Sequence, residues 1–146
     1  MESKKRKSYF DELGFKATID KLVNHVSKLY SEDEIPWVVG YSGGKDSSAC
    51  LQLMWNVLEK LKSENKSIKP LHIITTDTLV ENPIVALWVK TSLNLLREKA
   101  QKAGLPVFPT LLTPNIQETF WVNLIGKGYP APNSKFRWCT DRMKIR

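Results

Sequence analysis

Cysteine and long apolar runs are both scarce in this sequence. Cys50 and Cys139 are the only cysteines in 146 residues, which is too few for a scaffold held by disulfides. No apolar run is long enough for a transmembrane helix, and the basic N-terminus lacks the apolar stretch that follows in a secretory signal. Internal repeats and low-complexity segments are missing as well. We therefore expect a cytoplasmic protein with reduced thiols.

The sequence has an excess of positive charge, and this charge is unevenly distributed along the chain. The hydrophobic fraction is 42% and the charged fraction 25%, as in a globular protein of one domain, while the net charge is +7. Residues 1–7 carry +3 and residues 126–146 carry +5, whereas the span between them is nearly neutral. Basic ends of this kind attract a polyanion such as DNA or RNA, although residues 1–7 also read as a solvated tail.

A strand, a glycine turn and the start of a helix follow one another at residues 37–48. Gly43 and Gly44 allow a ligand to approach the backbone, and the amides of the turn and of the helix N-terminus attract anions. Lys45 adds a cation, and Asp46 is a candidate magnesium contact. The hydroxyl groups come from Ser42, Ser47 and Ser48. This pattern predicts a phosphate-binding loop.

The Walker A loop is the obvious alternative, and its spacing does not fit. That motif requires a glycine where Val39 stands and a serine or threonine where Asp46 stands. The remaining Ser-Gly-Gly-Lys-Asp-Ser pattern is a different kind of phosphate loop.

The apolar periodicity predicts an α/β domain with a parallel sheet, right-handed crossovers and helices on both faces. The predicted helices cover 16–30, 46–63, 83–103 and 116–124, and the predicted strands cover 36–41, 71–76 and 105–112. Residues 1–15 are expected to be a tail, and 126–146 mostly a loop. Pro106 and Pro109 favour an edge position for the third strand. The third long helix carries its apolar residues on one side, at Ile84, Leu87, Trp88, Thr91 and Leu95.

Ligands of parallel sheets bind at the carboxyl ends of the strands, so we expect the three strand ends to converge on one nucleotide. Asp77 ends the second strand, although a simple Asx turn would also explain an aspartate there. Cys50 fits a core position in its helix. Cys139 lies among basic residues, which favour the reactive thiolate.

Four segments together resemble one known family. They are residues 42–48, Thr-Asp-Thr-Leu-Val-Glu-Asn-Pro at 76–83, Gly-Tyr-Pro-Ala-Pro at 128–132 and Arg-Trp-Cys-Thr-Asp-Arg-Met-Lys at 137–144. They are similar to the PP-loop ATP pyrophosphatases, in the PAPS-reductase-like branch, and most similar to DndC-type DNA phosphorothioation sulfurtransferases. The resemblance covers about residues 35–145 and only the front part of a DndC-type protein. It implies that residues 16–146 form a truncated PP-loop domain, with a Rossmann-like, adenine nucleotide alpha hydrolase-like fold of three layers.

The resemblance implies an ATP-dependent sulfur insertion into the DNA backbone, with a cysteine desulfurase as sulfur donor. The loop would hold ATP and Mg²⁺, Lys45 would stabilise the phosphates, and Asp46 would hold the metal. Thr76 and Asp77 would lie near the adenosine. Cys139 would carry sulfur or ligate an iron–sulfur cluster, which needs further cysteines. The acceptor phosphates would be gripped by Lys135, Arg137 and Arg142.

Three other functions stay open at this point. A sulfonucleotide (PAPS or APS) reductase is one, but the intact Ser-Gly-Gly-Lys-Asp-Ser loop argues against it. A tRNA-thiolation enzyme is the second, and a non-catalytic nucleotide-binding module is the third. Pyrophosphate release from ATP separates the main prediction from a reductase and from a binding module.

Overall fold

The computed structural model describes residues 10–140 and 142–143. The long helices and strands alternate along the chain, as the periodicity predicts. In chain order the elements are α1 (Phe10–Leu13), α2 (Phe15–Tyr30), β1 (Trp37–Gly40), α3 (Lys45–Ser63), β2 (Leu71–Thr76), α4 (Pro83–Ala103), β3 (Val107–Leu112), a 3-10 turn (Ile116–Glu118), a π-helical turn (Val122–Gly126) and α5 (Trp138–Thr140). Helical structure thus begins before residue 16, and the basic cluster at 4–7 lies outside the described residues.

The three strands form one parallel sheet in the order β1-β2-β3. Trp37 pairs with Leu71, and Leu71 pairs with Val107 on its other side. The predicted parallel sheet is therefore confirmed, and so is the edge position of the proline-containing strand. β1, which leads into the phosphate loop, is the other edge strand of the described sheet.

One face of the sheet is buried and the other is open. Leu71 and Ile73 are fully buried, whereas Val38 is 60% exposed and Phe108 50% exposed on the opposite face. Both crossovers step in the same direction across the sheet, and right-handed crossovers of that kind place their helices on the same face. Among the described residues, the predicted second layer of helices is therefore not seen. None of the described helices is long and apolar enough to cross a membrane.

A buried lysine ties the end of α2 to the sheet. Lys69 is 6% exposed, and its Nζ lies 2.5 Å from Asp33 Oδ1. The same Nζ lies 4.9 Å from the ring centre of Tyr30 and 5.4 Å from that of Trp37, while the Tyr30 hydroxyl donates to the Lys69 carbonyl. Buried charges persist only when they are paired, so this cluster specifies how α2 meets β1 and β2.

α4 has the predicted ends but a different buried side. The Asn82 side chain accepts from the Ile84 amide at 2.9 Å, and Gly104 ends the helix with φ of 57°. Both features are the expected caps. The side that packs on the sheet, however, carries Val89, Leu93 and Ala100, and the apolar stripe seen in the sequence is exposed.

Tyr30 supplies a pH-dependent test of this packing. Burial raises the pKa of the Tyr30 hydroxyl to about 12, from 10.0. Because the folded pKa lies above the unfolded one, the contribution of Tyr30 to stability is complete below pH 10 and falls as the pH rises towards 12. In an ultraviolet absorbance titration of the folded protein, we expect a late tyrosine step that Tyr30→Phe removes. Tyr129→Phe is the control and should retain it. A late step that survives in Tyr30→Phe would contradict the assignment.

Candidate functional site

The phosphate loop connects the end of β1 to the start of α3, and Gly43 is its special position. Gly43 has φ of 76°, a region that residues with side chains rarely adopt. Gly44 has an ordinary φ of −83° and stands directly before α3. Of the two glycines, therefore, only Gly43 is required by its backbone conformation.

The amides that follow Gly43 lie at the N-terminus of α3. Ser48 N is the first to bond within the helix, donating to Gly44 O at 3.0 Å. The amides of residues 43–47 donate to no acceptor in the described part of the chain. Free amides at the start of a 19-residue helix carry the positive end of its dipole, so an anion is stabilised there.

Two serines brace the loop from within. Ser42 N donates to Ser47 Oγ at 3.3 Å, the two hydroxyl oxygens lie 3.1 Å apart, and Ser47 Oγ donates to Gly44 O at 3.1 Å. Ser48 instead faces a groove between α3 and α4. The first role of Ser42 and Ser47 is therefore to hold the loop open.

The loop also rests against α4, which the sequence reasoning missed. Trp88 Nε1 lies 3.4 Å from the Gly43 carbonyl oxygen, to which it donates. A Cβ at Gly43 would lie 2.8 Å from Val89 Cγ2 and 3.3 Å from Trp88 Cδ1. Only a residue without a side chain fits this contact. Nothing in the local sequence signals it, because the two segments are 45 residues apart.

A cavity of about 370 Å³ opens beside the loop, at the carboxyl ends of the strands. This volume lies within the usual range of small-molecule sites. The lining comes from the loop after β1, the end of β2 and the loop after it, β3 and the first half of α4. It includes Ser42, Thr75, Thr76, Asp77, Glu81, Val85, Lys90 and Leu111. The structure thus brings the predicted residues Ser42, Thr76 and Asp77 to one place.

Asp77 has a structural role at the rim of this cavity. Its Oδ1 accepts from the Leu79 amide at 2.8 Å, and its own amide donates to Leu112 O at 2.8 Å. This is the Asx turn that the sequence left open as an alternative. Leu79 has a positive φ of 62°, unusual for a residue with a side chain. The turn holds the loop after β2 at the cavity entrance.

Lys45 and Asp46 are the charged residues within the segment of free amides. Both side chains are exposed in the first turn of α3, and neither makes a hydrogen bond or ion pair with a described residue. Within residues 10–140 and 142–143, no three His, Cys, Asp or Glu side chains gather as a metal site. Asp46 would therefore be a single protein contact to Mg²⁺, which commonly takes its other ligands from phosphate and water.

Cys139 lies in a separate aromatic cluster. It follows Trp138, whose ring stacks on Phe120 at 5.3 Å and whose Nε1 donates to Pro130 O at 2.8 Å. No hydrogen bond, ion pair or ring contact among the described residues joins 116–143 to the loop at 42–48. Among the described residues, Cys139 thus has no bonded link to Lys45 or Asp46.

The basic residues of this segment are also exposed. Lys135 and Arg137 lie at the surface, and the Arg142 guanidinium stacks 5.0 Å from the centre of the Tyr129 ring. The predicted helix over 116–124 is replaced by the 3-10 turn and the π-helical turn, around the buried Asn123. A short helix, α5, interrupts the predicted loop.

The core position expected for Cys50 is wrong. Cys50 is exposed, and Cys139 is partly buried. Cys50 lies one turn before Met54 on the same side of α3, so the helical spacing placed it in the apolar stripe correctly. The buried residues of α3 begin at Met54, and the residues before it, Cys50 included, are exposed or half-buried.

Comparison with protein-family models, curated proteins and solved structures finds no match.

Gly43→Ala tests the contact between the loop and α4. The substitution forces a side chain into the left-handed region, which costs about 1–2 kcal/mol, and adds the clash with Val89. Gly40→Ala is a matched control, since its Cβ would meet nothing within 4 Å. In urea unfolding we expect a clear loss of stability for Gly43→Ala and little change for Gly40→Ala. Equal urea midpoints for the two variants would show that α4 does not pack tightly against Gly43.

The cysteines should react in the order of their exposure. In timed alkylation of the folded protein near neutral pH, read by peptide mass, we expect Cys50 to be labelled before Cys139. In urea the difference should largely disappear, because burial no longer protects Cys139. Faster labelling of Cys139 in the folded state would mean that its basic surroundings outweigh its burial.

Proposed function

We propose that this chain binds ATP with Mg²⁺ and belongs to an enzyme of the PP-loop ATP pyrophosphatase type. The observation that carries the proposal is the placement of the free amides at 43–47 next to a cavity at the ends of the same parallel strands. In the proposed fold, which is Rossmann-like with three layers, a further layer of helices covers the open face of the sheet.

The triphosphate lies on the loop in this proposal. The amides after Gly43 donate to phosphate oxygens, and Lys45 moves from solvent to neutralise the charge that develops as pyrophosphate leaves. Asp46 would hold a magnesium ion, which would supply positive charge to the phosphates. Support comes from the exposure of both side chains, which are free of ion pairs with described residues.

The adenosine occupies the cavity of about 370 Å³. Thr76 and the turn at Asp77 form one wall, and Val85 and Val89 of α4 supply an apolar surface for the base. Since Asp77 Oδ1 is already used in its turn, backbone groups of this segment are the better candidates to read the adenine.

The reaction we propose is ATP-dependent sulfur insertion into DNA. A backbone phosphate oxygen attacks the α-phosphorus of ATP, and pyrophosphate departs. A cysteine desulfurase supplies the sulfur as a persulfide, and a thiol reductant cleaves its S–S bond, becoming a disulfide and releasing sulfide. The sulfide attacks the activated phosphorus of the DNA, and AMP leaves with the original oxygen. The exposed Lys135 and Arg137, together with Arg142, support binding to a phosphate backbone. Cys139 would carry the sulfur or be one ligand of an iron–sulfur cluster.

A non-catalytic nucleotide-binding module is the second candidate. It is favoured by one observation: among the described residues, no hydrogen bond, ion pair or ring contact joins the segment of Cys139 to the phosphate loop. A module would bind ATP through the same groups and release no pyrophosphate.

Binding of ATP–Mg²⁺ measured by calorimetry tests the loop. Lys45→Ala removes a charge-assisted hydrogen bond, typically about 1.5–3 kcal/mol, so we expect affinity to fall by about tenfold or more. Lys28→Ala, an exposed lysine on α2, is the control and should bind like the wild type. Equal affinities for both variants would refute the site.

Pyrophosphate release in the presence of DNA then distinguishes the sulfurtransferase from the binding module.

A further inference from the structure

α4 is apolar on two opposite sides. Its inner side packs on the sheet through Val89, Leu93 and Ala100. The outer stripe of α4 consists of Ile84, Leu87, Trp88 and Leu95, whose exposed fractions are 79%, 66%, 60% and 54%. A helix that is apolar on both sides is normally covered on both sides. The outer stripe thus indicates an interaction surface.

A groove lies beside the second half of the same helix. It separates α3 from α4 and has a volume of about 710 Å³. Leu51 and Trp55 of α3 form one apolar wall, and Leu95 and Leu96 of α4 form the other. Lys99 and Lys102 also line this α3/α4 groove. Trp55 donates its Nε1 to Glu59 at 2.8 Å, so its ring is held in place on the groove wall.

Most of the outer stripe lies on the first half of α4, and the groove lies beside the second half, where Leu95 belongs to both. Ile84, Leu87 and Trp88 project from the first half, and the α3/α4 groove flanks residues 92–103 in the second half. Suppose that two copies pack with their α4 helices antiparallel, about a two-fold axis near Thr91. The first half of each α4 then meets the α3/α4 groove of the other copy. Ile84 lies seven residues before Thr91 and so reaches the level of the groove. This is the self-complementary surface that a two-fold interface requires.

Charge favours the same direction of pairing. Asp77 and Glu81 precede α4, whereas Lys99 and Lys102 lie near its end. An antiparallel pair brings acidic residues of one copy towards the lysines of the other, and a parallel pair would set lysines against lysines.

We propose that the outer stripe of α4 and the α3/α4 groove form the interface of a homodimer, whose occupant is a second copy of this chain packed antiparallel about Thr91. The pairing does not require that the loop bind ATP. Because Trp88 also donates to the Gly43 carbonyl, the interface lies directly against the phosphate loop.

The mass of the protein in solution tests this pairing. By size-exclusion chromatography with light scattering over a range of concentrations, the wild type should approach twice the chain mass of 16.7 kDa. Ile84→Asp places a charge in the stripe and should return the mass to that of one chain. Ile116→Asp is the matched control, since Ile116 is 81% exposed and lies outside the interface; it should stay dimeric.

A cross-link tests the position of the axis. In a Cys50→Ser, Cys139→Ser background, Thr91→Cys should form a disulfide between copies under mild oxidation. Gln101→Cys, on another side of the same helix, should not. Circular dichroism confirms that each variant is folded.

Three results would overturn the proposal. A mass of one chain at all concentrations assigns the stripe to another partner. A dimer that survives Ile84→Asp places the interface elsewhere. Loss of the dimer in both Ile84→Asp and Ile116→Asp points to non-specific apolar association.

Discussion

The close approach of α4 to Gly43 is the contact on which the site depends. The Trp88 indole and the Val89 methyl press against the one loop position that has no side chain. The carbonyl of Gly43 therefore turns towards α4, while the amides after it remain open to a ligand. A single packing contact thus aligns the loop, the cavity beside it and the outer stripe of α4.

The sheet imposes a second constraint, because the described helices that pack on it occupy one face. Buried side chains alternate with half-buried ones along β2, and the lysine cluster at Tyr30 fixes α2 on the covered side. The exposed apolar surfaces of the described residues include the open face of the sheet, the outer stripe of α4 and the α3/α4 groove. The stripe and the groove lie on the same layer and suit a second copy. The face of Val38 and Phe108 lies on the other side and is available to the further layer of the proposed fold.

Much of this architecture could be predicted because it is local in sequence. Helix and strand periods, the caps of α4 and the glycine turn each depend on residues within a few positions of one another. The errors concern long-range packing. The helix spacing of Cys50 was correct, but spacing does not report where a helix projects beyond its neighbours. The side of α4 that meets the sheet was ambiguous because both sides are apolar. The contact of Trp88 with Gly43 joins distant segments, and no local pattern encodes it.

The strand order has a consequence for how the chain assembles as it is synthesised. β2 pairs with β1, and β3 pairs with β2. Only one helix lies between the two strands of each pair in sequence, so each crossover that must close is short. β2 can pair with β1 as soon as it has followed α3 out of the ribosome, because its partner strand has already been made. The phosphate loop, however, acquires its support only when Trp88 and Val89 of α4 arrive. A nascent chain that ends before residue 88 would contain the whole loop sequence and lack the contact that shapes it.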